Sequence, residues 1–388
     1  MEQRRIVKMQ QSLKQQKLDA AIFALSEDVI LITQGYWSRN GLSFAVVPAE
    51  GTPALLVPKP EREDVPADIS MPVYEFGSVD LAEGNVYENI TAQLKQIAEA
   101  GDFAEASRIG LELSTQNVAP PQCDGEVILP GAATQAAIRA AFPGAELVDI
   151  IPLVFQSRKI KYTSDIERIE RVNRLAHAGL AEFARFLDTG KDCTEIQLAV
   201  MVESFIALHA EQYGAKYARA WAQVMSGPRT EGAWNSGVVT TNRSIADGEP
   251  VLIEMGTVAD GYFCDLTLTH FKKKAAGEIK KIFDVVVKAQ EAALAAVRPG
   301  VSGREVDAAA RKVVGEAGYG RYFNHGTGHG TGFAYHDGAP ALNPSSTDIL
   351  EVGNIHSCEP GIYVPGVGGV RLEVNSLVTE NGARVLGK

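Results

Sequence analysis

The chain of 388 residues is long enough for two domains, each with a buried core. Its hydrophobic content of 45% and charged content of 22% are ordinary for a soluble globular protein, and a formal net charge of -11 argues against nucleic acid or an anionic membrane as a general partner. The charged start, MEQRRIVKMQQSLKQQK, lacks the apolar run of a signal peptide, no stretch approaches the ~18 apolar residues of a membrane span, and Cys123, Cys193, Cys264 and Cys358 have no paired spacing, so a reducing cytoplasm is the expectation.

The first part of the chain alternates strands and helices. Residues 2–17 read as a surface helix and LDAAIFAL (18–25) as a buried strand. DVILITQGY (28–36) and LSFAVV (42–47) follow, then the turn PAEG and another strand, TPALLVP. Helical stretches lie near 88–100 and 131–142, with ELVDI after the second. This predicts an α/β domain over residues 1–157, ending near Phe155, and a charged linker, QSRKIKYTSD. Ser164 and Glu167 have the spacing of a capping box opening a long helix to about Leu187. From 163 to 388 the pattern changes to helices near 194–213, 276–297 and 302–317, with glycine-punctuated strands between and after them.

Three segments of this second part carry chemistry. VLIEMGTVADGYFCDLTLTHF (251–271) reads as a hairpin with its turn signal at ADG. A tip at Ala259 and Asp260 sets Glu254 directly opposite Asp265 on one face. Opposed like charges are destabilising, so the pair wants a cation or a proton between them. HGTGHGTGFAYHD (325–337) has too many glycines for a helix, each costing roughly 1 kcal/mol against alanine. Read as extended, it places His325, Thr327, His329 and Thr331 on one face and four glycines on the other, where another backbone can approach closely. At about 3.3 Å per residue the first two histidines lie roughly 13 Å apart and cannot share an ion. HSCEPGIYVPGVGGVRLEVNSLV (356–378) is a second hairpin, reversing at Gly366, with Glu359 opposite Glu373. A single acidic residue in a strand is usually solvated. Two facing pairs with a histidine strand between them instead make five ligands suited to Mn²⁺, Co²⁺, Fe²⁺ or Zn²⁺.

At these residues the chain resembles the pita-bread fold family of methionine aminopeptidase, aminopeptidase P, prolidase and creatinase. GYFCDLTLT resembles the family's Gly-Tyr-x-x-Asp-Ile-Thr-Arg-Thr, HGTGHGTG its His-Gly-x-Gly-His, CEPGIY its Glu-Pro-Gly-x-Tyr, and GGVRLE its Gly-Val-Arg-Ile-Glu. The resemblance implies an α/β creatinase-like accessory domain followed by an α+β pita-bread catalytic domain. It implies two divalent ions bridged by Asp265 and Glu373, with His329 and Glu359 completing one shell and Glu254 the other. His336, Glu359 and His325 become the catalytic candidates, with His336 at the substrate carbonyl or oxyanion and His325 on the site wall. Trp234, Asn235 and Arg371 become the substrate-contact candidates, and a homodimer is implied. His356 and His270 read as packing residues, and His177 and His209 as helix residues without a partner.

Three positions depart from the family pattern. Glu254 stands where an aspartate is usual, and one more methylene displaces a carboxylate by more than about 1 Å against metal–oxygen bonds of ~2.1 Å. The loop MSGPRTEGAWNSG (225–237) offers Trp234 or Asn235 where many peptidases have histidine, and Leu268 replaces an arginine. Three readings follow. The first, which the matched ligands favour, is a metal-dependent hydrolase of C–N bonds acting next to proline, with occupancy of the second ion open. The second is a creatinase- or ectoine-hydrolase-type enzyme on a small amide without the full metal pair, to which a dimethylsulfoniopropionate lyase is a rarer relative. The third is a binding protein that keeps only the fold.

Overall fold

The computed structural model describes residues 3–38, 41–78, 80–115, 129–235, 238–275 and 277–388, so Cys123 lies outside the described residues. Described residues up to Arg158 form one compact unit, and Lys159–Lys388 form a second.

In the first unit, α1 (Gln3–Gln15), β1 (Ala20–Phe23), α2 (Ser26–Thr33), β2 (Phe44–Pro48) and β3 (Ala54–Pro58) are followed by β4 (Val73–Phe76), α3 (Val86–Ala100), β5 (Arg108–Leu111), α4 (Ala132–Ala141), β6 (Glu146–Asp149) and α5 (Ile151–Lys159). The six strands form one mixed sheet in the order β4-β3-β2-β1-β5-β6. Every residue of β1, β2 and β3 is buried, which is why those segments read as continuous apolar runs. DVILITQGY, set among strands in the sequence, is instead the helix α2. It is buried from Asp28 to Thr33, and a helix apolar on all sides leaves no period to read. Glu27 and Asp28 in its first turn suit the positive end of the helix dipole. Buried Asp28 accepts two hydrogen bonds from Arg158, at 2.9 and 2.7 Å. The linker expected at 156–165 is helical in its first half, because α5 runs to Lys159.

The second unit opens with α6 (Thr163–Asp188), whose N-cap, Tyr162, lies two residues before the expected one. The capping carboxylate is Asp165, which accepts the Tyr162 N–H at 2.9 Å, rather than Glu167. Then come α7 (Glu195–His209), β7 (Ala218–Ser226), β8 (Pro250–Ala259), β9 (Tyr262–Phe271), α8 (Gly277–Ala296) and α9 (Gly303–Glu316). Thr194 and Ser302 cap α7 and α9 in reciprocal boxes with Gln197 and Glu305. The chain finishes with β10 (Gly328–Gly330), β11 (Gly338–Leu342), β12 (Ile355–Cys358), β13 (Gly361–Val364), β14 (Gly368–Arg371), β15 (Val374–Thr379) and β16 (Gly382–Val385).

Strands β7-β8-β9 form an antiparallel sheet, β11-β10-β12-β15-β16 a second, and β13-β14 a hairpin. Val251, Ile253 and Met255 of β8 and Cys264 and Leu266 of β9 pack on α6 and α7 through Val172, Phe183, Leu198 and Val202. The alternating residues, among them Glu254, Asp265 and Thr267, therefore face away from the helices. On the far side, Ile282 and Val286 of α8 and Val306 and Ala310 of α9 pack with Ile362, Val370 and Val374.

The glycine face of 325–332 is occupied by neighbouring backbone. A Cβ on Gly328 would lie 2.1 Å from the Ser357 carbonyl oxygen, and one on Gly330 would lie 2.1 Å from that of Ala339. Gly315, in α9, has open space around it. The same substitution should therefore act with opposite sign at the two places. Gly330→Ala should destabilise by about 3 kcal/mol through overpacking, whereas Gly315→Ala should stabilise by roughly 0.5–1 kcal/mol through helix propensity. Paired urea titrations check both signs.

Candidate metal centre

The β8–β9 hairpin turns at Asp260 and Gly261, whose φ angles of 47° and 82° are the positive pair of a two-residue type I′ turn. Ala259 pairs with Tyr262, so Glu254 lies opposite Thr267, and Asp265 lies opposite Gly256. The expected direct opposition of Glu254 and Asp265 is thus corrected by two residues. Side chains alternate with period two, so both carboxylates keep the same face and meet diagonally.

The second hairpin has the anticipated register. Cys358 pairs with Val374 and Gly361 with Arg371, which leaves Glu359 and Glu373 opposed between the two ladders. Pro360, without an N–H, interrupts the pairing there. Polar side chains join this hairpin to β9. The Asn375 amide accepts the Asp265 N–H at 3.2 Å and donates to the Asp265 carbonyl at 2.9 Å. Glu373 N–H donates to the Thr267 carbonyl at 2.9 Å, and the Thr269 hydroxyl bonds both the carbonyl and the N–H of Arg371.

These joins bring Glu254, Asp265, His329, His336, Glu359 and Glu373 into three overlapping clusters: Asp265 with His329 and His336, His329 with Glu359 and Glu373, and Glu254 with Asp265 and Glu373. His329 Nε2 lies 3.3 Å from Asp265 and 3.2 Å from Glu359, and His336 Nε2 lies 3.8 Å from Asp265. The His329 Nδ1–H donates to the Gly330 carbonyl at 3.0 Å, which turns Nε2 inward. Ser357 links His329 to Glu359, accepting the His329 N–H and donating to the carboxylate.

Burial sets the electrostatics. Burial first, then the Glu254 charge, pushes the Asp265 carboxyl up to about 7, and burial with Asp265 raises Glu373 well above the usual carboxylate range. Burial also opposes ionisation of Glu359, but the hydrogen bond and charge of His329 outweigh it and hold the group down at about 2. His329 is raised well above the usual imidazole range despite burial, because Asp265 and Glu359 attract its charge. Asp265 Oδ1 and Glu373 Oε1 are buried and have no hydrogen-bond partner among the described residues. Unsatisfied carboxylate oxygens beside an inward imidazole nitrogen fit a divalent cation. Asp265, His329, Glu359 and Glu373 are the candidate donors.

Glu254 differs. Its carboxylate receives Arg371 and the Thr267 hydroxyl on one oxygen and the Tyr335 hydroxyl, at 3.1 Å, on the other. Arg371 also donates to the Thr267 hydroxyl at 2.8 Å, the Tyr363 hydroxyl at 2.9 Å and the Ala233 carbonyl at 2.8 Å. Arg371, named above as a substrate contact, is thus anchored on the protein itself. His325 sits behind Tyr363, with its Nε2 2.8 Å from that hydroxyl, and belongs to none of the three clusters. Trp234 is half exposed in the turn after the Arg371-bound Ala233, and the Asn235 N–H donates to the Gly232 carbonyl. Thr267 and Tyr335 were not singled out in the sequence, although Thr267 has the parity of Asp265.

The other histidines lie elsewhere. His356 is fully buried, as a packing residue is. His270 instead meets Asp188 at 2.8 Å in a partly exposed pair. His209 stacks on Phe205 with ring centroids 4.0 Å apart, and burial lowers His177 to about 4.

An α/β unit ahead of a pita-bread unit whose acidic hairpins and histidine strand converge defines a metal-dependent hydrolase. The model of metallopeptidase family M24 matches residues 167–380, and that of the creatinase/prolidase N-terminal domain matches residues 5–160. The chain belongs to metallopeptidase family M24 and is a hydrolase of peptide-type C–N bonds. The uncharacterized peptidase YqhT of Bacillus subtilis is 34% identical over 253 residues, 65% of this chain and 69% of that one. A Xaa-Pro dipeptidase of Pyrococcus furiosus is 33% identical over 243 residues, 63% of this chain and 67% of that one. The fold resembles a dipeptidase structure from Pyrococcus horikoshii OT3 with a TM-score of 0.78 and 28% identity, covering 99% of this chain and 98% of that one.

The two unsatisfied carboxylates lie at the centre of the clusters. Asp265→Ala or Glu373→Ala should abolish retention of divalent ions, while His336→Ala should leave it intact. Elemental analysis after gel filtration checks both, and an Asp265→Ala protein that keeps wild-type metal would refute the donor set.

Proposed function

We propose that the enzyme hydrolyses the bond next to proline in small peptides, using one ion held by Asp265, His329, Glu359 and Glu373 and a second, weakly held ion beside Glu254. The observation that carries this reading is the pair of buried, unsatisfied oxygens on Asp265 and Glu373, two carboxylates that each cluster with His329. The relatives named for Xaa-Pro cleavage support the substrate class. Mn²⁺, Co²⁺, Fe²⁺ and Zn²⁺ all suit these donors. When bound, the ion supplies Lewis acidity toward a carbonyl oxygen.

The chain's own groups then have separable tasks. Glu359, clustered with His329 and Glu373, is placed to take a proton from an attacking water. His336, beside Asp265, can donate to the developing oxyanion. Arg371 fixes the Ala233 carbonyl and so the turn that carries Trp234 and Asn235, where the half-exposed indole offers a flat face to a substrate ring. His325 acts indirectly, by holding the Tyr363 hydroxyl that Arg371 also uses. A cytoplasmic homodimer completes the reading. The buried free thiols of Cys193, Cys264 and Cys358 support the compartment, and light scattering tests the dimer.

The saturation of Glu254 by Arg371, Thr267 and Tyr335 favours a second reading, a one-ion enzyme acting on a compact amide. The two are separated by measuring ion stoichiometry by calorimetry and kcat/KM on Xaa-Pro dipeptides and tripeptides beside creatine and ectoine. Expected for the first are low Xaa-Pro efficiencies, below about 10⁴ M⁻¹s⁻¹, that rise with added Mn²⁺ or Co²⁺. Turnover confined to small amides would replace it with the second.

Glu254→Asp, with a shorter reach toward Arg371, should tighten the second ion. Two tightly held ions in the wild type would show that glutamate serves fully and that the arginine contact is no obstacle. His336→Ala should lower kcat by about 10² or more, and normal turnover by that variant would remove His336 from the mechanism.

A further inference from the structure

We propose that Lys161 is a positioning residue for catalysis: it locks the loop that carries His336, acting through Asp337. The inference rests on the role given above to His336, and Lys161 lies between the two stretches that the family models match.

The chain leaves the glycine strand at Gly330 and must reverse within seven residues to return His336 to the cluster. Asp337 closes that reversal. Its N–H donates to the Gly330 carbonyl at 2.7 Å, and its two carboxylate oxygens accept the N–H groups of Phe333, at 3.1 Å, and Ala334, at 2.8 Å. The result places the His336 ring 4.3 Å, centroid to centroid, from that of His329.

Lys161 supplies the opposite charge. Its Nζ lies 2.9 Å from the Asp337 carboxylate, and both side chains are fully buried. The ammonium also lies 5.7 Å from the centre of the Phe333 ring. Its stem packs against Gly332, where a Cβ would come within 3.2 Å of Lys161 Cε.

Lys161 is itself fixed. Its N–H donates to the Gly353 carbonyl at 2.9 Å. Two residues earlier, Lys159 bonds the Ile349 carbonyl and Glu351, and its own carbonyl accepts from Asn354. Burying both charges is costly unless they are paired. The pair sits at the base of the one loop that aims His336, so its effect is the direction of that imidazole.

The test is a cycle of Lys161→Met and His336→Ala, with kcat, KM, metal content and Tm measured for each protein, and a crystal structure of Lys161→Met. Expected is a kcat loss of about tenfold to 10²-fold, the scale of a ~1 Å misplacement, with KM and metal content within about twofold. On the His336→Ala background the same substitution should change kcat by less than about twofold, because the two residues act as one unit. The crystal structure should show the His336 ring displaced from Asp265. Wild-type kcat in folded Lys161→Met, or an equal loss on both backgrounds, overturns the proposal. If Lys161→Met does not fold, Asp337→Asn, which keeps a carbonyl acceptor, takes its place in the same cycle. Should His336→Ala keep full kcat, the role of His336 fails, and the ring position alone then decides whether Lys161 positions it.

Discussion

Buried like charge is the constraint that organises the second unit. Asp265, Glu254, Glu359 and Glu373 are packed where water cannot screen them, and each makes ionisation of another harder. Such a cluster persists only if cations are provided. The chain itself provides two, the His329 imidazole and the Arg371 guanidinium, and it presents Asp265 Oδ1 and Glu373 Oε1 as donors that a metal ion would suit. The hairpins, the glycine strand and the amide of Asn375 all hold these groups at a few ångströms from one another.

Arg371 connects parts that are distant in sequence. It neutralises Glu254 on β8, shares the Thr267 hydroxyl with that carboxylate, and grips the Ala233 carbonyl beside Trp234. The Glu254 carboxylate and the turn at Ala233 are therefore coupled through one side chain. An ion that drew Glu254 away would loosen a contact that also steadies Ala233.

The cluster was legible in the sequence because Glu254, Asp265 and His329 lie on strands and Glu359 and Glu373 directly adjoin them, where period-two alternation says which residues share a face. Glu359 and Glu373 could be paired from the reversal at Gly366, and the glycines of 326–330 announced close backbone neighbours. What escaped was long-range or depended on turn geometry. The positive φ of both Asp260 and Gly261 moved the first hairpin's tip by one residue and its pairing register by two. The saturation of Glu254 depends on residues from β8, β9, β14 and the loop holding Tyr335, which no local pattern connects. The helix α2 escaped because complete burial erases amphipathic periodicity, and the end of α5 because a charged segment reads as solvated whether it is helix or linker.

The turn at Asp260–Gly261 shows how parity governs the evolvability of such a centre. A register different by two residues would also leave both carboxylates on this face, whereas one different by a single residue would point one of them into the apolar layer under α6 and α7. Variation in strand length is therefore quantised. Changes that shift a strand by an even number of residues preserve the sign of the face and can be searched by drift, and odd ones invert the centre at a single step. Homologous hairpins can thus diverge in length and turn type while their ligands stay in view of one another.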